Sequence, residues 1–127
     1  MKNKNVISFR KKSEHYWPLQ HLLEEIEKEV ITNNEIMNII YNRSNEYDWI
    51  LSKKIRQDFL IKLIKEEIKE IEDKYETINV KCGNTAKEIV WKNCIELEEQ
   101  KELAKEYSVS IDTIKRKIPK WIKQAIE

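Results

Sequence analysis

Glycine and proline are almost absent from this chain, which has one glycine and two prolines among 127 residues. Sandwiches and barrels of β-strands need many more turn residues, so an all-β architecture is not expected. The single glycine, Gly83, also cannot build the glycine-rich loop that holds phosphate groups in common nucleotide-binding motifs. We therefore predict an all-α fold, and the length suits one domain.

The charges are balanced overall but segregated along the chain. Lys and Arg total 24 against 23 Asp and Glu. Residues 1–18 carry a net charge of +4, residues 19–78 carry −5 and residues 100–127 carry +3. The overall balance argues against a globally basic nucleic-acid coat protein, whereas the segregation gives an acidic middle with basic ends.

The two cysteines, Cys82 and Cys94, form no disulfide framework, which favours a reducing cytoplasmic location. No apolar stretch follows the basic N-terminus, so no signal peptide is expected. The longest uncharged run, His15 to Leu23, has nine residues and is too short to cross a bilayer. The sequence contains neither a metal-ligand spacing nor a nucleophile–base arrangement, so we expect no cofactor, no metal site and no enzymatic activity.

Three regions are predicted along the chain. Residues 1–14 lack periodicity and are expected to be a basic, flexible arm. Residues 15–80 are expected to form a helical bundle or hairpin that serves as an interaction region. Its first helix starts with Pro18 in its first turn, ends at a turn at Asn33-Asn34 and is followed by a short helix over 36–40. The apolar stripe of the first helix comprises Leu19, Leu22, Leu23, Ile26 and Val30.

The longest predicted helix opens at Ser44 and forms the centre of the bundle. From Ile61 its apolar residues follow a heptad-like spacing, at Ile61, Ile64, Ile68, Ile71, Tyr75 and Ile78. A parallel dimer would place Glu67 against Glu72 of the second copy, which is repulsive. We therefore favour packing of this seam onto the chain's own N-terminal helices, with a homodimer as the alternative.

The third region, residues 81–127, begins at the clearest break in the chain, Gly83-Asn84. A capping-box sequence at residues 85–88 predicts the start of a helix. Its apolar face is expected to comprise Ala86, Ile89, Val90, Cys94 and Leu97.

The segment from Gln100 to Pro119 predicts two helices joined by a tight turn. Leu103, Ala104 and Tyr107 form the inner face of the first helix. Val109 is expected to fill the angle between the helices, and Ser110 to cap the second one. The inner face of that helix is Ile114 and Ile118. Pro119 is expected to end it, or else to open a final helix.

The residues from Leu103 to Arg116, which read LAKEYSVSIDTIKR, resemble the helix-turn-helix family of DNA-binding proteins. Over Glu88–Glu127 the chain is most similar to small phage and mobile-element transcription regulators with a C-terminus like region four of sigma factors. Ser108 departs from the family pattern, because this turn position usually holds glycine. The resemblance implies that the second helix enters the major groove of double-stranded DNA.

Roles for the exposed residues of the second helix follow from this resemblance. The residues expected to approach bases are Ser110, Ile111, Asp112, Thr113 and Arg116. Those expected to contact phosphates are Lys115, Lys117 and Lys120.

Two functions of different classes follow. The first is a small sequence-specific DNA-binding transcription regulator encoded by a phage or other mobile element. The alternative is a helical adaptor or inhibitor that binds a protein, such as RNA polymerase or a host factor, through the acidic residues 19–78. Exposed apolar surface along residues 36–64 would favour the alternative.

Overall fold

The structure, a computed structural model, describes residues 4–39 and 44–126, and the side chains of residues 5–29 and 56–126. These described residues form six helices and no strand, which confirms the all-α prediction. The helices are α1 (Lys4–Glu14), α2 (Tyr16–Ile39), α3 (Ser44–Cys82), α4 (Asn84–Cys94), α5 (Gln100–Glu106) and α6 (Ile111–Ile126). None of these six helices has a stretch that is both long and apolar enough to span a bilayer.

The chain divides into two compact units. The first unit comprises Met1–Trp17 together with Lys69–Glu127, and the second comprises Pro18–Ile68. The first unit thus joins the whole predicted arm to the predicted C-terminal region, and it includes the last part of α3. This grouping differs from the predicted regions 15–80 and 81–127, because α1 and the end of α3 contribute side chains to the C-terminal core.

The expectation of a flexible arm over residues 1–14 is wrong for its described part, because residues 4–14 form α1. Val6, Phe9 and Ser13 share one face of this helix and are buried. The sequence contained this spacing, but two apolar residues and a serine among five basic residues were too weak a signal. Packing of α1 against α4 and α6 supplies the stabilisation that a short isolated helix lacks.

An aromatic cluster occupies the core of the first unit. The ring of Tyr75, in α3, lies 5.3 Å from that of Phe9 and 5.1 Å from that of Trp91, measured between centroids. Trp91 also meets Tyr16 edge-on at 4.9 Å. Such contacts contribute about 0.5–1.5 kcal/mol each beyond their buried area. The cluster therefore joins α1, the start of α2, the end of α3 and α4.

Hydrogen bonds satisfy the two tyrosine hydroxyl groups of this cluster. The Ser13 hydroxyl donates to the Phe9 carbonyl at 2.9 Å, so the Tyr75 hydroxyl, also 2.9 Å away, donates to Ser13. Burial raises the pKa of Tyr75 well above its usual value, which keeps the phenol protonated. The Tyr16 hydroxyl donates to Glu72 at 2.9 Å.

In the second unit, α2 runs unbroken through the turn predicted at Asn33-Asn34, and Asn34 caps no separate helix. The two asparagines each cost only a few tenths of a kcal/mol to about 0.7 kcal/mol in a helix, and neither glycine nor proline stands nearby to break it. Pro18 lies in the first turn, as predicted. Leu22 is exposed, whereas Leu19, Leu23 and Ile26 are half-buried. Ile40 and the side chain of Val30 lie outside the described residues.

Helix α3 begins at Ser44 as predicted and continues to Cys82, a total of 39 residues. The heptad-like positions Ile64, Ile68, Ile71, Tyr75 and Ile78 are all buried, and Ile61 is half-buried. Since this burial occurs within a single chain, the seam is covered without a second copy. An ion pair between Lys65 and Glu27, 3.6 Å apart, links α3 to α2 inside the second unit.

Gly83 separates α3 from α4. Its φ of 101° lies in a region that side chains with a Cβ atom rarely adopt, so a glycine is required at this break. Helix α4 begins at Asn84 with Gly83 as its N-cap, and no side-chain cap is formed. The predicted capping box at residues 85–88 is therefore wrong, because Thr85 already lies inside the helix.

Replacing Phe9 with alanine should lower the free energy of unfolding by about 3–5 kcal/mol, because the substitution removes a buried ring from the aromatic cluster. Ile7→Ala is the matched control on the exposed side of α1, and we expect a change of at most about 0.5 kcal/mol. Urea unfolding followed by circular dichroism measures both. Equal, small losses in the two variants would contradict the placement of α1 in the core.

Candidate nucleic-acid interface

Helices α5 and α6 are joined by residues 107–110, and the backbone of this connection has a defined geometry. Ser108 adopts a φ of 56°, in the left-handed region. The N–H of Val109 donates to the Ala104 carbonyl at 2.9 Å, and that of Ser108 to the Lys105 carbonyl at 3.3 Å. This pair of bonds is the Schellman motif, which ends a helix and satisfies its last carbonyl groups. The left-handed residue is therefore a serine at the position where such motifs favour glycine.

Ser110 caps the start of α6, as predicted. Its hydroxyl accepts a hydrogen bond from the Thr113 N–H at 3.1 Å and shares another with the Thr113 hydroxyl at 2.8 Å. Both hydroxyl groups are thus engaged within the protein. This leaves Ser110 and Thr113 less hydrogen-bonding capacity for an external ligand than Asp112 and the predicted cations have.

The inner face of α6 is an apolar stripe. Ile114, Ile118 and Ile122 are at most 2% exposed and follow one another at intervals of four residues. Helices α1, α4 and α5 all pack against α6. Leu103 and Ala104 of α5 are buried as predicted, and Tyr107 is half-buried. Val109 is 40% exposed, so the prediction that it fills the interhelical angle is wrong; its backbone, rather than its side chain, closes the turn.

Pro119 neither ends the second helix nor opens a new one, because α6 runs without interruption from Ile111 to Ile126. Proline removes one helical hydrogen bond, the one that would reach the carbonyl of Lys115. Lys115 is an exposed residue, so water can satisfy this carbonyl. The buried residues Ile118 and Ile122 on either side of the proline hold the helix together across it.

Helix α4 supports this pair of helices through polar contacts. Lys92 forms an ion pair with Glu106 of α5, which raises the pKa of Lys92 and lowers that of Glu106. The Lys92 ammonium also lies 5.2 Å from the centre of the Tyr107 ring. Leu97, expected on the buried face of α4, is instead exposed, with a φ of 58°, because α4 ends at Cys94 and the chain turns there.

The outer surface of α6 carries the residues predicted to contact DNA. Five of its side chains are basic, and Asp112 is its one acidic residue. Thr113 is half-buried. The exposed members of the predicted set are Ser110, Ile111, Asp112, Lys115, Arg116, Lys117 and Lys120. All eight predicted residues therefore lie on one segment, with the cations turned away from the buried stripe.

A cleft of about 510 Å³ lies beside α6, and the sequence did not predict it. Its lining comprises Cys82, Arg116, Lys117, Lys120, Trp121 and Gln124. The Lys117 ammonium lies 6.0 Å from the centre of the Trp121 ring, and Lys81 donates to the Gln124 carbonyl at 3.1 Å. The cleft thus combines three cations with an indole wall and includes no acidic side chain. Cys82 reaches it from α3, some forty positions away in sequence, so no local pattern could reveal it.

The first unit, which contains this surface, is basic. It holds 17 Lys and Arg against 13 Asp and Glu, a net charge of +4, whereas the second unit carries −3. The described residues contain no group of three or more His, Cys, Asp or Glu side chains arranged to hold a metal ion. The positive charge of the unit favours an anionic ligand.

Comparison of the chain with models of protein families, with curated proteins and with solved structures found no match.

Replacing Ser108 with glycine should raise the free energy of unfolding by about 0.5–1 kcal/mol, because glycine adopts the left-handed conformation without steric cost. Lys105→Gly, at an exposed position inside α5, is the control, and it should lower the free energy of unfolding by about 1 kcal/mol. Urea unfolding measures each change as a shift of the midpoint, with the slope of the unfolding free energy against urea concentration unchanged. A destabilised Ser108→Gly variant would be inconsistent with this turn geometry.

Proposed function

We propose that this protein binds double-stranded DNA in a sequence-specific manner through α5, the turn and α6, and acts as a small transcription regulator of the kind that phages and mobile elements encode. One observation carries the proposal: α6 buries an isoleucine stripe on one side and presents five basic side chains on the rest of its surface. A helix held after a tight turn in this way fits the B-DNA major groove, which is about 12 Å wide.

The residues of α6 divide by the contact that each can make. Arg116 can form two hydrogen bonds with a guanine edge, and the exposed side chains of Ile111 and Asp112 stand in the first turn, which approaches the bases. Ser110 and Thr113 are assigned a smaller part in base contact, since they bond to each other. Lys115, Lys117 and Lys120 neutralise phosphates.

The cleft beside α6 supports a path for one DNA strand. Lys117 and Lys120 line it together with Arg116, and the lining includes no carboxylate to repel a phosphate. The indole of Trp121 forms an apolar wall against which a sugar can pack. We assign this cleft to the strand that flanks the groove entered by the first turns of α6.

Selection of bound duplexes from a random DNA pool, at low and at physiological salt, tests the proposal. An enriched motif that survives the higher salt supports specific recognition. Binding that enriches no sequence and vanishes with salt would reduce the surface to general phosphate attraction. No binding at either salt concentration would refute the proposal.

Arg116→Ala and Lys117→Ala should weaken DNA binding in different ways. Loss of the arginine should cost about 1–3 kcal/mol and relax specificity at one base pair, because it removes a contact to a base edge. Loss of the lysine should weaken binding to all sequences alike. It should also reduce the slope of the logarithm of the binding constant against the logarithm of the salt concentration by about 1. Fluorescence anisotropy with the selected duplex and with single-base variants of it, over a salt series, measures both effects.

Lys62→Ala is the matched control, because it removes an equal charge from an exposed position of α3 in the second unit, outside the proposed interface. It should leave both the affinity for DNA and the specificity unchanged. If Arg116→Ala and Lys117→Ala bind like this control, the assignment of α6 as the reading helix is wrong.

A second function, binding of a partner protein through the acidic residues 19–78, is favoured by one observation. Phe59, Leu60 and Leu63 are exposed together on α3, within the segment where apolar surface would indicate an interaction site. RNA polymerase or a host factor is the partner class that the proposed regulatory role suggests. Pull-down of purified RNA polymerase by the wild type and by Leu60→Glu tests this function, which requires that the substitution abolish capture.

A further inference from the structure

Helix α3 has an exposed apolar patch beside its buried face. Phe59, Leu60 and Leu63 are 61%, 47% and 42% exposed, whereas Gln57 and Ile64 on the inner face are only 6% and 7% exposed. Single exposed apolar residues need no explanation, but three within five positions on one helix form a patch. This patch lies wholly within the second unit.

The patch is the centre of a short seam along the helix. Positions 56, 60, 63 and 67 are separated by four, three and four residues, so they form one stripe with the spacing of a heptad repeat. Leu60 and Leu63 hold the two middle positions. Arg56 and Glu67, both exposed, hold the two ends. The stripe therefore has a leucine pair in its middle and opposite charges at its ends.

We propose that a second copy of this chain binds to this stripe, with the two α3 helices antiparallel about a twofold axis between residues 61 and 62. In this register Leu60 of each copy meets Leu63 of the other, and Arg56 of each copy meets Glu67 of the other. Both ends of the interface then carry an attractive pair, as a symmetric, self-complementary contact requires. A parallel register would instead set arginine against arginine and glutamate against glutamate.

This charge pattern selects a second copy over an unrelated protein. An unrelated partner can supply any complementary charges of its own, so it places no symmetry condition on the stripe. Here a 180° rotation of the stripe places each charged end against the opposite charge of the second copy. The same register places leucine against leucine. The inference goes beyond the proposed DNA binding and does not depend on it, since it concerns the free protein. It assigns to a second copy the same patch that the second candidate function would give to a partner protein, so the two assignments exclude each other.

Sedimentation equilibrium of the full chain without DNA tests the proposal. The wild type should sediment as a dimer, at twice its chain mass of 15.4 kDa. Arg56→Glu and Glu67→Arg should each weaken dimerisation by about tenfold or more, because each sets like charges together at both ends. The double variant R56E/E67R should restore dimerisation, because it exchanges the charges and keeps every pair attractive.

Lys62→Glu is the control, since it makes the same charge reversal at an exposed position off the stripe, and it should dimerise like the wild type. Leu60→Glu should be monomeric with an unchanged circular dichroism spectrum, because the side chain is exposed in the monomer. A wild type that stays monomeric over the whole accessible concentration range would overturn the proposal. So would a dimer that Arg56→Glu and Leu60→Glu leave intact, and failure of the double variant to recover would overturn the antiparallel register.

Discussion

Burial of the isoleucine stripe on α6 is the interaction on which the proposed interface depends. Ile114, Ile118 and Ile122 are almost fully buried, and burying each such side chain contributes about 1.5–3 kcal/mol. Helix α5, which directly precedes α6 in the sequence, and the more distant helices α1 and α4 all pack against α6. Because rotation of α6 about its axis would expose the isoleucines, the same contacts hold the basic side chains outward.

Two residues that are unfavourable for regular helical structure are accommodated around this stripe. Ser108 takes a left-handed conformation so that the chain can reverse between α5 and α6, and the Schellman bonds offset its cost. Pro119 lacks a helical donor, yet its neighbours Ile118 and Ile122 are buried and the helix continues. Local backbone hydrogen bonds in the first case, and tertiary contacts in the second, outweigh a local penalty of a few kcal/mol or less.

Charge is distributed unevenly between the two units. The unit that contains α6 carries +4, and the second unit, with the exposed stripe on α3, carries −3. A net charge of +1 would give little attraction to DNA if it were spread evenly, so segregation matters more than the total. One α6 helix makes few phosphate contacts, and a dimer formed through α3 would double them without any further basic residues.

The sequence by itself determined the all-α class, the long helix from Ser44, the break at Gly83, the cap at Ser110 and the exposed cations of α6. These depend on turn residues and on local apolar spacing, which are visible within a few helical turns. Tertiary structure alone decided that residues 4–14 form a helix with one buried face, that α6 continues past Pro119, and that Cys82 joins Trp121 in one cleft. Each of these depends on contacts between residues far apart in sequence, and their energy exceeds the local preference that a sequence pattern records.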